Sequence, residues 1–456
     1  MKKTKLFVVF LLAVFLLLLP YFLRLNSDNH IFIGSEPHYH AKVASEISQG
    51  RLDKNVLIPE KGYRLNPYHF LLALACFFIP IEFASIFVPI LLGLLSVILL
   101  YFVLDSVNFK FLRSFFVLII FVLSPTFVSF FCLSTPRAFI TFLIILGFYL
   151  FLKKSRYAFI MSAFAFFLLS FFGIFHSIII SLILLVYCLH NKRLLPRFYV
   201  ILFVFAGSAL AVNLPFYIIG GFNFVSYSGI LSDTGCIFGF SVFSLLLSAV
   251  GLFFVWRYKK KLYKVYLLMI ILLFFCFVTK SLFVYANLIV SILAGSAFYV
   301  LYVKKWCLKK LRGLALLVVF CGLLFSVISH CIIISRLPPN DELVDCLEWI
   351  DVNTDKNSLV FVDIPNIYFA DFWSGRSIVS SDYSKLWKYS DLDSTEEFLS
   401  IKNIDYILVN NDLIKTNVWD SNGLYFLLNN AKTFKNRYDN GYCNVWKYYN
   451  IEDLDG

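Results

Sequence analysis

The sequence predicts a polytopic α-helical membrane protein of about eleven spans, followed by a small extracytoplasmic α/β domain. Three observations carry this reading. Hydrophobic residues make up 60% of the 456 positions and charged residues 15%, well below the ~25% charged of soluble domains. The apolar residues fall in blocks, at 6–23, 198–217 and 314–334, each close to the ~20 residues that cross a bilayer as a helix. The net charge of +12 is divided unevenly. Residues 336–456 hold 11 basic and 20 acidic side chains, a net of −9, against +21 for the part before them. A soluble protein is excluded.

Each element follows in order. Residues 6–23 come after Lys2, Lys3 and Lys5, as a secretory signal would. The block is long for one, and Pro20-Tyr21-Phe22 stands where small residues would mark cleavage, so it reads as the first span. Basic clusters at 153–156, 192–193, 257–261 and 304–312 separate later apolar blocks. The positive-inside rule puts them in the cytoplasm, as topology signals rather than a nucleic-acid surface. The N-terminus is then inside, and residues 24–66 form a long first outer loop. Residues 68–80 are apolar but too short to span, which suits an interfacial helix before span two at 82–104. Span three ends near Phe131, and 133–137 is a short second outer loop. Residues 157–189 and 266–302 are each long enough for two crossings, with Lys280 at the outer turn of the second pair. Seven of the eight acids before residue 336 then face outward, and Asp105 alone faces in.

The chain divides at 335/336 into a membrane domain, 1–335, and an extracytoplasmic domain, 336–456. In the latter, residues 341–353 have a helical apolar pattern, 358–363 and 404–410 are β-branched runs, 395–402 suits a helix and 443–449 a last strand. About 120 residues suffice to bury a core. There is no Gly-rich phosphate loop and no triad signature. The ten cysteines are scattered without a C-x-x-C; Cys346 and Cys443 share this domain, and whether they pair depends on geometry.

The first outer loop holds the strongest chemical candidate. It reads Gly34-Ser35-Glu36-Pro37-His38-Tyr39-His40-Ala41-Lys42, and four of the seven histidines (His30, His38, His40, His69) lie in or beside it. Extended, the segment would point Glu36, His38 and His40 to one side. As a helix, it would stack Glu36 on His40 four residues on. Either arrangement sets a carboxylate beside an imidazole, suited to general-base work or to a divalent cation such as Mg²⁺ or Mn²⁺. The plainer alternative is a solvated loop with histidines at headgroup level.

Here the sequence resembles a known family. Glu36-x-x-Tyr39-His40-x-Lys42, continuing through Ala44 and Ile47 to Gly50, is similar to the first-loop motif of oligosaccharyltransferase catalytic subunits, members of the GT-C superfamily of polyprenyl-linked glycosyltransferases. Tyr63 and Asn66-Pro67-Tyr68-His69 resemble the Pro-containing segment leading to that family's second span. Motif identity is confined to residues 36–69; the placement of an α/β domain after the last span resembles archaeal members. The resemblance implies a multi-pass cell-membrane enzyme that takes a sugar from a polyprenyl (dolichyl) phosphate or diphosphate. An acceptor glycan, lipid or protein would displace the lipid phosphate at the anomeric carbon. Glu36 would be the base or a metal ligand, His40 its support, and Lys42 would stand where the family usually has Arg. His38, Tyr39 and His69 would support the site.

Two outer cations, Arg137 and Lys280, suit contact with the donor phosphate; the alternative is snorkelling to headgroups. Asp233, before Gly235, is a further site candidate, although an Asx turn explains it without function. His176 lies mid-membrane, as a functional group or as a neutral partner of a neighbouring helix. Two departures weigh on the resemblance. The Trp-Trp-Asp motif that holds the acceptor sequon is absent, and Phe369-Ala370-Asp371-Phe372-Trp373 does not match it. The second outer loop has no carboxylate. Monosaccharide transfer onto a glycan, lipid or surface protein therefore fits better than protein N-glycosylation. The rival reading is a non-catalytic scaffold or lipid-glycan carrier of the same fold. An ion-coupled transporter, with midplane charges and repeated halves, fits less well.

Overall fold

The computed structural model describes residues 2–27, 29–50, 66–208, 229, 231–256, 282–305, 309–362, 367–379, 397, 399–401, 403–410, 428–429 and 431–449. In chain order the first helices are α1 (Lys2–Leu25), α2 (Ser35–Ser48), α3 (Pro67–Cys76), α4 (Ile81–Ser106), α5 (Phe111–Val122), α6 (Pro125–Cys132) and α7 (Pro136–Leu152). There follow α8 (Arg156–Ser170), α9 (Ile174–His190), α10 (Leu195–Ser208), α11 (Val242–Trp256), α12 (Phe283–Val303), α13 (Lys309–Ser335) and α14 (Asp341–Asn353). Last come β1 (Leu359–Phe361), α15 (Ile367–Trp373), β2 (Ser377–Val379), β3 (Tyr406–Asn410), β4 (Phe434–Asp439) and β5 (Cys443–Tyr448). They form two compact units: Met1–Leu23 with Leu57–Ser335, and Arg24–Val56 with Arg336–Gly456. The sequence division at 335/336 keeps the first outer loop with the membrane part; by contacts, Arg24–Val56 groups with the C-terminal residues.

The first unit is helical. Among the described residues α1, α4, α12 and α13 are long and apolar enough to cross a membrane. α5 and α6 add a fifth if they count as one span, bent by 62°. The sequence suggests one continuous span to Phe131. The break falls at Ser124, whose ψ of 128° is extended, because the following proline disfavours helical backbone in the residue before it. α3 and α7 to α11 are shorter apolar helices of 10–17 residues. The pair expected over 157–189 appears as α8 and α9, separated at Gly173 with φ 139°. Parts of the spans expected over 198–217 and 266–302 lie outside the described residues.

Glycine sets the closest helix approaches. A Cβ on Gly295 of α12 would lie 2.5 Å from the Cα of Val117 on α5, and on the opposite helix pair Gly251 of α11 meets the Leu293 carbonyl. One buried polar contact ties α12 to the break between α5 and α6, where Ser124 Oγ donates to Asn287 Oδ1 at 2.8 Å. An unmatched group in an apolar interior would cost a few kcal/mol, roughly 1–3.

In the second unit a five-stranded sheet runs in the order β2-β1-β3-β5-β4. β1 is parallel to β2 and β3, while β5 is antiparallel to β3 and β4. The two-residue repeat of strands separates two cores. Phe361, Ile407, Val409, Trp446 and Tyr448 turn to one face with Leu399 and Leu428. Val360, Tyr406, Leu408 and Val445 turn to the other, covered by Leu343, Leu347 and Ile350 of α14 and by Phe369 and Ala370 of α15. Cys346 and Cys443 are both buried in this second core as free thiols. β4 is one of the two edge strands, with Lys435, Asn436 and Arg437 exposed, a composition that discourages further pairing.

Two arginines close this unit. Arg376 bonds Asp351 Oδ1 at 2.9 Å and Thr354 Oγ1 at 3.0 Å, fixing the end of α14. Arg24 is fully buried. Its Nε donates to the His30 carbonyl and its two Nη groups to the carbonyls of Leu337 and Pro339.

Candidate functional site

The first-loop motif folds as α2, so the helical alternative is the one realised. Gly34 precedes it with φ 83°, a backbone region that favours glycine. Its N–H donates to the Pro338 carbonyl at 2.8 Å, and Asn29 bridges Asn340, so the loop is stitched to the segment entering α14. Pro37 is tolerated because the first turn needs no intrahelical donor.

Glu36 lies in that first turn, where the helix N-terminus favours an ionised carboxylate. Oε1 is 3.8 Å from Nε2 of His40, one turn on, with the Glu36 side chain 41% exposed and His40 at 7%. An accessible carboxylate thus rests on a shielded imidazole. Such a pair can accept a proton from an acceptor hydroxyl or amine.

His38 takes another direction, since residues two apart on a helix do not share a face. Its ring is fully buried against Phe32 (4.0 Å between centroids), Phe369 (4.8 Å) and Phe372 (5.3 Å). Nδ1 bonds the Gly34 carbonyl at 2.7 Å, while Nε2 meets no hydrogen-bond partner among the described residues. Burial drives its pKa down to about 3, with His30 and Arg24 adding to the effect and the Gly34 bond opposing it. The ring is therefore neutral, and its role here is to pack α2 onto α15. Tyr39 extends the contact, 5.5 Å from the Tyr368 ring. Lys42 pairs with Glu46 at 3.9 Å. Burial raises the Asp371 carboxyl of α15 to about 6, and the charge of Lys42 opposes that rise.

In the helical unit, two further candidates, Asp233 and Arg137, meet on one loop. Asp233 lies in a 3-10 turn, Ser232–Thr234, that ends on Gly235 at φ 92°. Its Oδ2 accepts from the Val242 N–H at 2.7 Å and its Oδ1 from Ser326 Oγ, so it caps α11 and ties it to α13. Its partners are Val242 and Ser326, not the N–H two residues on that an Asx turn would use; the Gly235 N–H donates to the Ser232 carbonyl instead. Arg137, in the first turn of α7, lays its guanidinium 4.1 Å from the Phe238 ring. Thr126 and Ser129 of α6 donate to the carbonyls of Gly239 and Ile237, which fixes this loop. His69 is buried in α3, beside Tyr68, whose hydroxyl meets Ser134 Oγ at 2.9 Å. His176 Nδ1 lies 3.1 Å from the Tyr285 hydroxyl. Lys280 lies outside the described residues.

Several residues were not legible as site candidates. His330 of α13 is buried with Nε2 2.6 Å from Ser129 Oγ. Because Ser129 spends its hydroxyl hydrogen on Ile237, Nε2 is the protonated nitrogen by this network, and Nδ1 is an acceptor with no partner among the described residues. An ionisable residue inside a 27-residue apolar helix was a usable signal. Asp371 and Arg24 carried no comparable signal, since their surroundings come from distant sequence.

The donor set at Glu36 is a single carboxylate and a single imidazole, and no group of three His, Cys, Asp or Glu residues that could hold a metal occurs among the described residues. This does not make a protein-built cage for Mg²⁺ or Mn²⁺, and we assign no step to a metal.

Against known structures, the fold is similar to those of an archaeal oligosaccharyltransferase and of ArnT. The apo oligosaccharyltransferase of Archaeoglobus fulgidus aligns over 90% of this chain and 70% of its own, with a TM-score of 0.69 and 12% identity. The oligosaccharyltransferase AglB of the same organism, in complex with an inhibitory peptide and a dolichol-phosphate, aligns over 99% and 74%, with a TM-score of 0.68 and 13% identity. ArnT from Cupriavidus metallidurans, bound to undecaprenyl phosphate, aligns over 96% and 97%, with a TM-score of 0.56 and 12% identity. No protein-family model and no curated protein sequence matches the chain.

Proposed function

We propose that this protein transfers a sugar from a polyprenyl phosphate or diphosphate to a glycan, lipid or protein acceptor on the extracytoplasmic face of the cell membrane. The observation that carries this reading is the Glu36–His40 pair, an exposed carboxylate in a helix first turn over a shielded imidazole. It is supported by the likeness in fold to proteins whose structures hold dolichol-phosphate and undecaprenyl phosphate.

In this reading the acceptor oxygen or nitrogen attacks the anomeric carbon as the bond from that carbon to the phosphate oxygen breaks. Glu36 takes the acceptor proton, and the electron pair of the broken bond leaves on the polyprenyl phosphate. His40 supports Glu36 from one helical turn on. Arg137, Lys280 and Lys42 are the cations assigned to the donor phosphate, with Lys42 shared with Glu46. His38, Tyr39, His69 and Asp233 act by positioning. The assigned topology has about eleven spans, a cytoplasmic N-terminus and a C-terminal domain outside, from the basic clusters.

The missing carboxylate of the second outer loop favours one rival, a non-catalytic carrier of the same fold. The deciding test is transfer of radiolabelled sugar from polyprenyl-phosphate donors in membranes, for the native chain and Glu36→Gln at equal expression. Loss of transfer with Glu36→Gln supports the assignment. Unchanged transfer moves the reaction centre elsewhere, and no transfer from any donor by the folded native chain favours the carrier.

A further inference from the structure

At the end of the helical unit away from Arg137 lies a cavity of about 420 Å³, within the ~300–1,000 Å³ of small-molecule sites. α7 carries Arg137 in its first turn and Leu152 at its last, about 22 Å further along at 1.5 Å per residue. The cavity is walled by Leu100 and Val107 of α4, Ile144 and Phe148 of α7, and Leu288 and Ile292 of α12. These walls are apolar. It runs along α12 from Ser296 to Tyr285, a depth of about 16 Å, enough for a length of hydrocarbon chain.

One charged side chain lines it, Arg113 of α5. Arg113 Nε donates to Ser296 Oγ at 2.9 Å, and its guanidinium lies 4.2 Å from the Phe109 ring. Ring and hydroxyl fix the plane of the fork. Neither Nη group has an acceptor among the described residues, and no carboxylate there pairs with it. Such a fork matches phosphate oxygens bidentately. Exposed Lys110, Lys153, Lys154 and Lys192 follow the helix ends around Val107, Leu152 and Tyr187, which line the same cavity. Apolar depth, an oriented guanidinium and a basic rim are complementary to a single kind of molecule.

We propose that this cavity binds an anionic membrane phospholipid, with one hydrocarbon tail between α4, α7 and α12 and its phosphate on Arg113. By the topology assigned above, the lipid belongs to the cytoplasmic leaflet, where basic pockets between helices meet anionic headgroups. It would brace α5 against α12 at the end remote from Arg137. Binding itself does not depend on the sugar chemistry, so a lipid readout stands or falls apart from the transfer assay.

The test is native mass spectrometry of the full chain purified in detergent, titrated with phosphatidylglycerol and with phosphatidylcholine of the same acyl chains. Native protein should hold one phosphatidylglycerol in preference to phosphatidylcholine. Arg113→Ala should weaken that binding by about tenfold and erase the preference. Ile292→Trp, which fills the cavity, should remove the tight lipid while the melting temperature stays near the native value; Leu288→Phe gives a second, milder filling should the first variant not fold. Equal binding of the two lipids, or binding unaffected by Arg113→Ala and by both filling variants, would overturn the proposal as annular lipid only. Tighter binding of a polyprenyl monophosphate than of phosphatidylglycerol at this site would overturn it in favour of a donor-type lipid.

Discussion

His40 Nε2 stands 3.8 Å beneath Oε1 of Glu36, a turn of helix apart, with the imidazole shielded and the carboxylate open. Glu36→Gln keeps shape and removes the base. Transfer should fall by about 10²–10⁴-fold, with thermal stability unchanged because the side chain is 41% exposed. His40→Ala should cost both activity and some stability. A Glu36→Gln enzyme at near-native rate would remove the carboxylate from the reaction.

How much of this was readable beforehand depends on distance along the chain. α14 spans the residues expected for it, because its signals are local: the Asn340 side chain accepts from the Leu343 N–H, and Asp341 and Glu342 fill the first turn. The stacking of Glu36 on His40 is likewise a matter of spacing. β2 and β4 were not expected. β2 has three residues, and β4 reads Phe-Lys-Asn-Arg-Tyr-Asp, without the alternation that marks a strand. Two of the rings around His38, Phe369 and Phe372, lie more than 330 positions away. Only folding brings them to α2.

His38 makes stability depend on pH. Its pKa is about 3 in the fold against 6.5 ordinarily, so between these values the unfolded chain binds the extra proton. Its contribution is complete above about pH 6.5 and is lost as pH falls, by about 2 kcal/mol at pH 5. Hydrogen exchange of α2 and α15 between pH 7.5 and 4.5 should report progressive loss of protection. His38→Phe should flatten that dependence, and an equally steep profile in the variant would assign it to another group.

Asp371 works in the opposite sense. Its carboxyl is raised to about 6 by burial, so the folded state holds the proton more tightly and stability declines as pH rises from about 4 to 6. Asp371→Asn should therefore stabilise the second unit at pH 7.5 and change little at pH 4. Melting curves at the two pH values separate this from the His38 effect.

At Gly295 the helical unit has no space for a side chain, since a Cβ would lie 2.5 Å from the Val117 Cα, a backbone atom that cannot turn aside. Gly295→Val should force α5 and α12 apart and cost about 1–3 kcal/mol. Gly313 meets nothing within 4 Å of its added Cβ. Gly313→Ala, at an open helical position, should be neutral or slightly stabilising by comparison. Detergent-solubilised melting temperatures test the contrast, and a Gly295→Val protein as stable as the native one would mean that α5 and α12 can part freely.

Arg24 joins segments more than 300 positions apart in the chain. The guanidinium is fully buried, and its three nitrogens donate to carbonyls on two strands of chain, His30 on one side and Leu337 and Pro339 on the other. Lysine has one point charge on a flexible stem and cannot reproduce a planar fork spanning those carbonyls. Arg24→Lys would leave two of them desolvated, at a cost of about 2–4 kcal/mol. The loss should appear in the second unit first: faster proteolysis and faster exchange in α2 and α14, with α4 and α12 protected as before. If Glu36 is the base, transfer should also decline, because Gly34 at the start of α2 is held by the same segment through Pro338. Native-like protection of α2 in Arg24→Lys would show that the stitching from Gly34 to Pro338 suffices without the arginine.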